Sequence, residues 1–287
     1  MPNDSGPTHG QSWRLWRLNT PGALSKVAFA VASASLAILS LVYGDFAPGG
    51  ETLPVWVPWR EWWIHGAALL VLVASVGVFF QRTALMSVLT VGAYQAVWVL
   101  ISAPVILSGP LTIGAWYPIC EAATGLVGTW ILYAMLRWPT ADSRLPIAKQ
   151  RGVRVAQALF ALACVFYGAS HFAYADDTAS MVPTWLSGRL GLAYLTGLAH
   201  LAAGIGILVG VLARLAAALE AVMMSLFGLL VWMPTFFAQS PPNWAMPPQN
   251  RWSELVVNLV LAASAWIVVT SLRNRSWGFA ARSTRAG

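Results

Sequence analysis

We single out four ionisable residues that lie within, or directly beside, long apolar segments of this 287-residue chain: His171, His200, Glu220 and Glu254. An ionisable side chain at the centre of a bilayer costs at least roughly 2.5–3.5 kcal/mol on insertion scales, so each one requires a physical explanation. Imidazole has an unperturbed pKa near 6.5 and exchanges protons easily at physiological pH. We therefore take these four residues as candidate ligand-binding or proton-carrying residues, and the sequence identifies no catalytic residue.

The two most deeply placed candidates are His200, about ten residues into its segment, and Glu220, about six residues into the next. His200 is either a neutral histidine bonded to a neighbouring helix or a proton carrier that contacts a ligand. Glu220 follows Arg214 by six positions, and residues at that spacing do not share a helix face. The partner of Glu220 must lie on another helix, or its carboxyl group stays protonated.

The other two candidates, His171 and Glu254, are predicted at similar depth near the outer ends of their segments. They either pair across an outer mouth or represent ordinary interfacial polarity. Bis-histidine haem ligation is disfavoured, because His171 and His65 are predicted more than roughly 10 Å from His200 along the membrane normal. We find no metal-ligand spacing and no nucleotide-binding glycine pattern, so the sequence predicts no metal and leaves a quinone as the cofactor to consider.

The composition requires a lipid environment. Hydrophobic residues make up 58% of the chain and charged residues 9%, against about 25% charged residues in an average soluble domain. The net charge of +7 comes from Lys and Arg residues in short segments between apolar runs, so it indicates membrane topology rather than nucleic-acid binding. The predicted partner is the lipid bilayer.

Eight apolar runs have the length that a helix needs to cross a hydrocarbon core of about 30 Å. They predict an all-α, polytopic membrane bundle of about eight transmembrane helices. The runs are roughly Leu24–Tyr43, Trp63–Phe80, Ala84–Ala103, Trp116–Leu136, Val153–Ser170, Leu190–Val211, Leu215–Phe237 and Leu255–Leu272.

The placement of Lys and Arg predicts the orientation of these spans. The two terminal segments and the second, fourth and sixth loops hold 14 of these residues, whereas the other loops hold 3, namely Arg60, Arg189 and Arg251. Cytoplasmic segments carry an excess of Lys and Arg, so both termini are predicted to be cytoplasmic. The other side is rich in tryptophan, which forms either an interfacial belt or an aromatic mouth for an amphipathic ligand. These tryptophans are Trp56, Trp59, Trp62, Trp63, Trp185, Trp244 and Trp252.

The two halves of the chain resemble each other. The segment 44–47 follows the first span as the segment 170–173 follows the fifth, and Leu53–Trp56 (LPVW) then corresponds to Val182–Trp185 (VPTW). The offset between matched positions changes only slightly along the chain. With four spans in each half, the repeat is predicted to be parallel, with its axis along the membrane normal.

These features divide the chain into five parts. We predict a disordered cytoplasmic tail over residues 1–22, a first four-helix repeat over 23–137 and a cytoplasmic linker over 138–152. A second four-helix repeat follows over 153–273, and a cytoplasmic tail over 274–287.

The second half resembles the DoxX-like family of four-helix bacterial membrane proteins. The resemblance covers residues 153–272 and is carried by Phe166–Phe172 (FYGASHF), Ser180–Leu186 (SMVPTWL) and Gly197–Gly204 (GLAHLAAG). It implies a multi-pass protein of the bacterial inner membrane. Because the family name derives from a subunit associated with quinol oxidation, it also implies a redox role with a quinone and an oxidoreductase partner.

Three functions remain open on the sequence. The first is a membrane subunit of a quinone-linked redox system, with the ligand between helices. The second is a carrier or binder of a small lipophilic solute, although no span looks broken, because Pro104 and Pro234 fall near span ends. The third is a non-catalytic membrane assembly partner, which the scarcity of chemical groups favours.

Overall fold

The computed structural model describes residues 22–46, 53–137, 150–239, 242 and 247–278. Within these ranges the chain is helical and forms no extended strand. The α-helices in chain order are α1 (Ala23–Tyr43), α2 (Arg60–Gly77), α3 (Ala84–Ser102), α4 (Tyr117–Arg137), α5 (Gln150–Ala173), α6 (Ala175–Met181), α7 (Arg189–Val209), α8 (Ala213–Phe227) and α9 (Pro248–Ser271).

Seven helical segments among the described residues are long and apolar enough to cross a membrane, which is compatible with a multi-pass integral membrane protein. Seven of the eight predicted spans are thereby supported. The remaining predicted span corresponds to α2, which has 18 residues and begins with Arg60 and Glu61. These two charges lower its mean hydropathy, but α2 still packs against both α1 and α3.

Contacts between α1 and α9 define the two ends of the bundle. At one end the Ser25 and Thr270 hydroxyl oxygens lie 2.5 Å apart. At the other end Gln249 Nε2 donates to Asp45 Oδ2 at 2.6 Å. The start of α1 and the end of α9 therefore lie together, at the end that we call inner; the opposite end we call outer. α9 has the largest buried share of the seven spans and contacts α1, α4 and α8.

Helices α5 and α7 approach each other unusually closely through glycines. A Cβ atom added to Gly168 would lie 2.8 Å from the carbonyl oxygen of Gly197, and one added to Gly204 would lie 2.6 Å from that of Ala161. Backbones can come this near only where side chains are absent. This contact brings His171 on α5 next to α7.

We expect Gly204→Ala to destabilise the protein by about 1–3 kcal/mol, because the added methyl group forces two backbones apart. Gly191→Ala is the matched control on α7, since a Cβ there meets no atom within 4 Å. It should leave stability unchanged or raise it by up to about 1 kcal/mol through helix propensity. Thermal unfolding of both purified variants measures the difference, and equal midpoints would contradict the close packing of α5 and α7.

The seventh predicted span is not a regular α-helix, so the expectation of unbroken spans is wrong here. After α8 the chain continues as a π-helical turn, Gly228–Trp232, and then as a 3₁₀ turn, Met233–Phe236. Pro234 has no N–H to donate to the carbonyl of residue 230, so the regular α-helical hydrogen-bonding pattern is interrupted here. Wide turns of this kind are frequent at functional sites.

The starting residues of corresponding helices are consistent with the predicted duplication, which stays a prediction. Helices α2 and α7 begin at Arg60 and Arg189, and helices α3 and α8 begin at Ala84 and Ala213. The number of positions between the two starting residues is the same in both pairs. The predicted linker ends too late, because α5 already begins at Gln150. Residues 1–21, 138–149 and 279–287 of the predicted tails and linker lie outside the described residues.

Candidate functional site

A cavity of about 790 Å³ lies within the second half of the chain. Side chains of α5, α7, α8 and α9 form its walls, the first turns of α4 contribute to its outer part, and α6 with the following segment covers it. Ligand sites for small molecules have volumes of about 300–1,000 Å³ and mostly apolar walls. The sequence predicted neither α6 nor this cavity.

Two of the predicted residues form a buried pair beside the cavity. His200 Nδ1 and Glu220 Oε1 are 2.9 Å apart, and the two residues are 1% and 2% exposed. The partner of Glu220 thus lies on another helix, which is one of the two alternatives that its spacing from Arg214 left open. Because both side chains are removed from solvent and lipid, the pair depends on its own hydrogen bond.

The pair retains unused hydrogen-bonding atoms. Glu220 Oε2 is buried and has no hydrogen-bond partner among the described residues. The hydrogen bond that the structure gives the His200 ring is made by Nδ1, while the same ring lines the cavity. His200 Nε2 is therefore the atom of the pair through which a molecule in the cavity can be contacted.

His171 lies beside His200, which corrects the predicted difference in depth. The ring centroids are only 5.1 Å apart, much closer than the depths of the two residues along their helices predicted. Both Cα–Cβ bonds lean toward the start of their own helix. Since α5 and α7 run in opposite directions, His171 leans inward and His200 leans outward, and the two rings meet. The depth argument against haem therefore fails, but rings in edge contact leave no room for a porphyrin between them.

The remaining predicted residue, Glu254, also lines the cavity. The predicted pair of His171 and Glu254 is not made through Nδ1 of His171. That atom lies 2.9 Å from Thr196 Oγ1 and 3.2 Å from the carbonyl oxygen of Ala193, both on α7. The structure thus brings all four candidates to one cavity or its wall, but His171 is fixed by α7 rather than by α9.

Aromatic rings surround the histidines. The Phe227 ring centroid lies 6.0 Å from those of His171 and His200, and the Tyr167 centroid also lies 6.0 Å from that of His200. Tyr117 lies further out, and its hydroxyl oxygen is 2.5 Å from Ser170 Oγ. These contacts fix the orientation of the imidazoles before any ligand arrives.

Sequence reasoning missed Asn258, which lines the cavity. Asn258 is 8% exposed, its Nδ2 donates to the carbonyl oxygen of Glu254 at 3.2 Å, and its Oδ1 has no partner among the described residues. Its spacing of four residues from Glu254 places both on one face of α9. That spacing was the available signal.

The polar lining of the cavity includes three acidic residues and two histidines, but neither Lys nor Arg among the described residues. Glu121, Asp177 and Glu254 line it, and none of the described residues in its wall is Lys or Arg. Glu121 lies near the start of α4, and Asp177 lies on α6. The carboxylates therefore belong to the outer part of the cavity, whereas the His200–Glu220 pair lies deeper.

The wall formed by α8 opens sideways. Leu219, Val222 and Leu226 line the cavity and are nevertheless 60%, 44% and 43% exposed. A side chain that faced only an enclosed cavity would not be exposed to this extent. We therefore expect molecules dissolved in the acyl-chain region to enter the cavity beside α8.

The tryptophans of the outer end do not form the mouth of this cavity. Of the seven, six lie in the described ranges; Trp56, Trp59, Trp62, Trp63 and Trp185 are 62–79% exposed and Trp252 is 44% exposed. None of these six lines the cavity, to which Trp232 contributes instead. Their exposure favours the interfacial belt. Trp244 lies outside the described residues.

Over the residues that the structure describes, no group of three His, Cys, Asp or Glu side chains is placed to hold a metal ion. A cofactor in the cavity would instead be contacted by the His200 ring, the Asn258 side chain and tyrosine rings. These atoms suit an organic molecule with a polar end.

Comparison with known proteins adds one match. A family model described as a domain of unknown function, DUF8561, matches residues 160–269. This segment extends from α5 into α9 and contains His171, His200, Glu220 and Glu254. No curated protein and no solved structure matches the chain significantly. The chain is thus similar to this family over the part that forms most of the cavity.

Proposed function

We propose that this protein binds a small lipophilic molecule with a polar end, taken up from the bilayer into the cavity of its second half. The observation that carries the proposal is the cavity itself, about 790 Å³ in volume, with apolar walls and an open side at α8. Its convergent polar atoms are few, which is typical of sites that orient an otherwise apolar ligand.

The His200–Glu220 pair orients that polar end. The hydrogen bond to Glu220 holds the imidazole in place, so that Nε2 is aimed at the cavity. The ring nitrogen that Glu220 does not hold can then hydrogen-bond to a hydroxyl or amine of a bound molecule. A carrier function would use the same site, with exchange of the ligand at α8.

Native mass spectrometry of the protein released from lipid nanodiscs tests this proposal. We expect a fraction of the protein to carry one small molecule, at a ratio of one per chain. The same peak should be absent from a variant whose cavity is filled. Protein that carries nothing besides the bulk lipid, in the same amount as the filled variant, would contradict the proposal.

A quinone-linked redox subunit is the second candidate, favoured by the free Nε2 of His200 beside a carboxylate. A quinol has hydroxyl donors, one of which matches this acceptor at the cavity wall. Its two electrons would pass to a partner oxidoreductase, and its protons to the pair. Solvent extraction of purified protein should then yield quinone, and quinone titration should change tryptophan fluorescence. The absence of both effects would leave this candidate unsupported.

We also propose membership of the DoxX-like family for the second half, on the motifs FYGASHF, SMVPTWL and GLAHLAAG. The proposed location is the bacterial inner membrane, with both termini cytoplasmic and the two halves arranged as a parallel repeat. The distribution of Lys and Arg supports this orientation. A protease added outside intact cells should not cut near Lys149, and cleavage there would contradict the orientation.

A further inference from the structure

We propose that the inner end of the bundle binds the headgroup of an anionic phospholipid, where the starts of α5 and α8 meet the end of α9. This site is separate from the cavity, so the inference goes beyond the proposed function. It is formed by five residues that we call the inner arginine cluster, namely Arg151, Arg154, Arg214, Arg273 and Arg275.

Two hydrogen bonds bring arginines of three helices to one level. Gln157 Nε2 donates to Ser271 Oγ at 2.9 Å, which places the early part of α5 beside the end of α9. Arg154 precedes Gln157 by three positions, on the same side of α5 and nearer the inner end. Arg273 follows Ser271 by two positions, and its carbonyl oxygen accepts a hydrogen bond of 3.1 Å from Arg214 Nη1. The three guanidinium groups therefore belong to one surface.

The side chain of Arg214 is held in place at this surface. Its guanidinium carbon lies 3.9 Å from the centroid of the Trp277 ring, a distance at which a cation is attracted to an aromatic face. Trp277 is 48% exposed, as expected for an indole in the headgroup layer. A guanidinium has five N–H donors, so the bond to Arg273 and the ring contact leave donors for a phosphate group.

The inner arginine cluster has no acidic partner among the described residues. None of its members forms a salt bridge there, and Glu220 of α8 is buried in its pair with His200. The other described Asp and Glu residues belong to the outer part of the bundle; they are Asp45, Glu61, Glu121, Asp176, Asp177 and Glu254. Membrane topology explains cations at this end, but it does not require arginines of three helices to converge. Converging like charges repel each other, and a bound anion removes that repulsion.

The direction of two helices adds to the positive potential. Helices α5 and α8 both begin at the inner end, so the Cα–Cβ bonds of Arg154 and Arg214 lean toward the membrane surface. α8 begins without a side-chain cap, so the N–H groups of its first turn also point to this surface. The start of a helix carries a partial positive charge, which favours a phosphate group nearby.

An apolar stripe beside the cluster selects a lipid rather than a free phosphate ion. Val155, Leu159 and Leu162 on α5 are 51%, 45% and 54% exposed, and their spacing places them on one face. Arg151 precedes Val155 by four positions and is exposed, so it stands at the inner end of the same face. A molecule that pairs with arginines and lays an acyl chain along this stripe is a phospholipid with a net negative headgroup.

Lipid titration of the full-length protein in detergent, followed by native mass spectrometry, tests the inference. The probes are phosphatidylglycerol, phosphatidylcholine with the same acyl chains, and glycerol phosphate, which has the anionic group but no chain. We expect the first phosphatidylglycerol to bind about tenfold more tightly than phosphatidylcholine or glycerol phosphate. Equal or tighter binding of either of these two probes would overturn the inference.

The variant pair Arg154→Gln/Arg273→Gln shows whether the cluster causes the preference. Both side chains are exposed, so the fold should be retained. Phosphatidylglycerol binding should weaken about tenfold, and phosphatidylcholine binding should not change. The control pair Arg60→Gln/Arg82→Gln makes the same change in net charge at the two ends of α2 and should behave like the wild type. Equal losses in both pairs would overturn the inference, because net charge alone would then explain the preference.

A variant whose cavity is filled separates this site from the cavity. Its affinity for phosphatidylglycerol should equal that of the wild type, because the inner arginine cluster is unchanged. Loss of phosphatidylglycerol binding in this variant would place the lipid in the cavity and overturn the inference.

Discussion

Glu220→Val is expected to destabilise the protein by about 3–5 kcal/mol, more than any other single substitution considered at the site. The substitution removes one partner of a pair whose two residues are 1% and 2% exposed. It leaves the polar Nδ1 of His200 buried without the hydrogen bond that it makes to Glu220. The midpoint of thermal unfolding of the purified protein, followed by its intrinsic tryptophan fluorescence, measures the loss.

The double variant His200→Val/Glu220→Val should recover most of that stability. The starts of α2 and α7 are separated by a fixed number of positions in the sequence. Subtracting that number from the positions of His200 and Glu220 gives Val71 and Val91. These valines are 1% and 0% exposed, so under the predicted duplication the first half holds apolar side chains at the equivalent positions. Replacing a buried ion pair by well-packed apolar residues is often neutral or stabilising.

Comparison of the wild type, both single variants and the double variant isolates the interaction. We expect the double variant to be more stable than Glu220→Val, with a coupling of about 1–3 kcal/mol between the two positions. Thr129→Val is the matched control, because it removes a buried hydrogen bond to Gln95, 2.5 Å long, in the first half. It should lower stability and leave ligand binding intact. Additive effects of the two single changes would contradict the pairing.

Leu192→Trp is expected to lower ligand binding by more than about tenfold, because the larger ring fills the cavity that Leu192 lines. The effect is steric, so it does not depend on the identity of the ligand. The measurement is the amount of small molecule that is extracted per mole of purified protein.

Leu195→Trp is the control for this substitution. Leu195 lies on the same helix, is 59% exposed and does not line the cavity. The added ring there faces away from the site, so bound ligand should stay at the wild-type level. Equal loss in both variants, or no loss in Leu192→Trp, would place the ligand elsewhere.

Much of the helical architecture was predictable, because a bilayer leaves the backbone few alternatives. In a hydrocarbon core each N–H and C=O must be satisfied within the segment, so a long apolar run becomes a helix. The predicted run Ala84–Ala103 and α3 (Ala84–Ser102) differ by one residue for this reason. α2 was predicted three residues too far along, since its Arg60 and Glu61 begin the helix in spite of their charge.

The site was only partly predictable, because depth along a helix does not determine where a side chain ends. The sequence singled out His171 and His200 as ionisable residues in apolar segments, but it did not predict that their rings lie 5.1 Å apart. Their contact depends on the opposite lean of side chains on antiparallel helices and on the close approach at Gly168 and Gly197. The cavity arises from the packing of several helices and from the wide turn before Pro234, neither of which hydropathy describes.

A cryo-electron microscopy structure of the full-length protein in lipid nanodiscs tests the central claim most directly. We predict elongated non-protein density between α7 and α8, with one end about 3 Å from His200 Nε2. Helices α7 and α8 closed against each other, with Leu192 packed on α8 and no space beside His200, would contradict the claim.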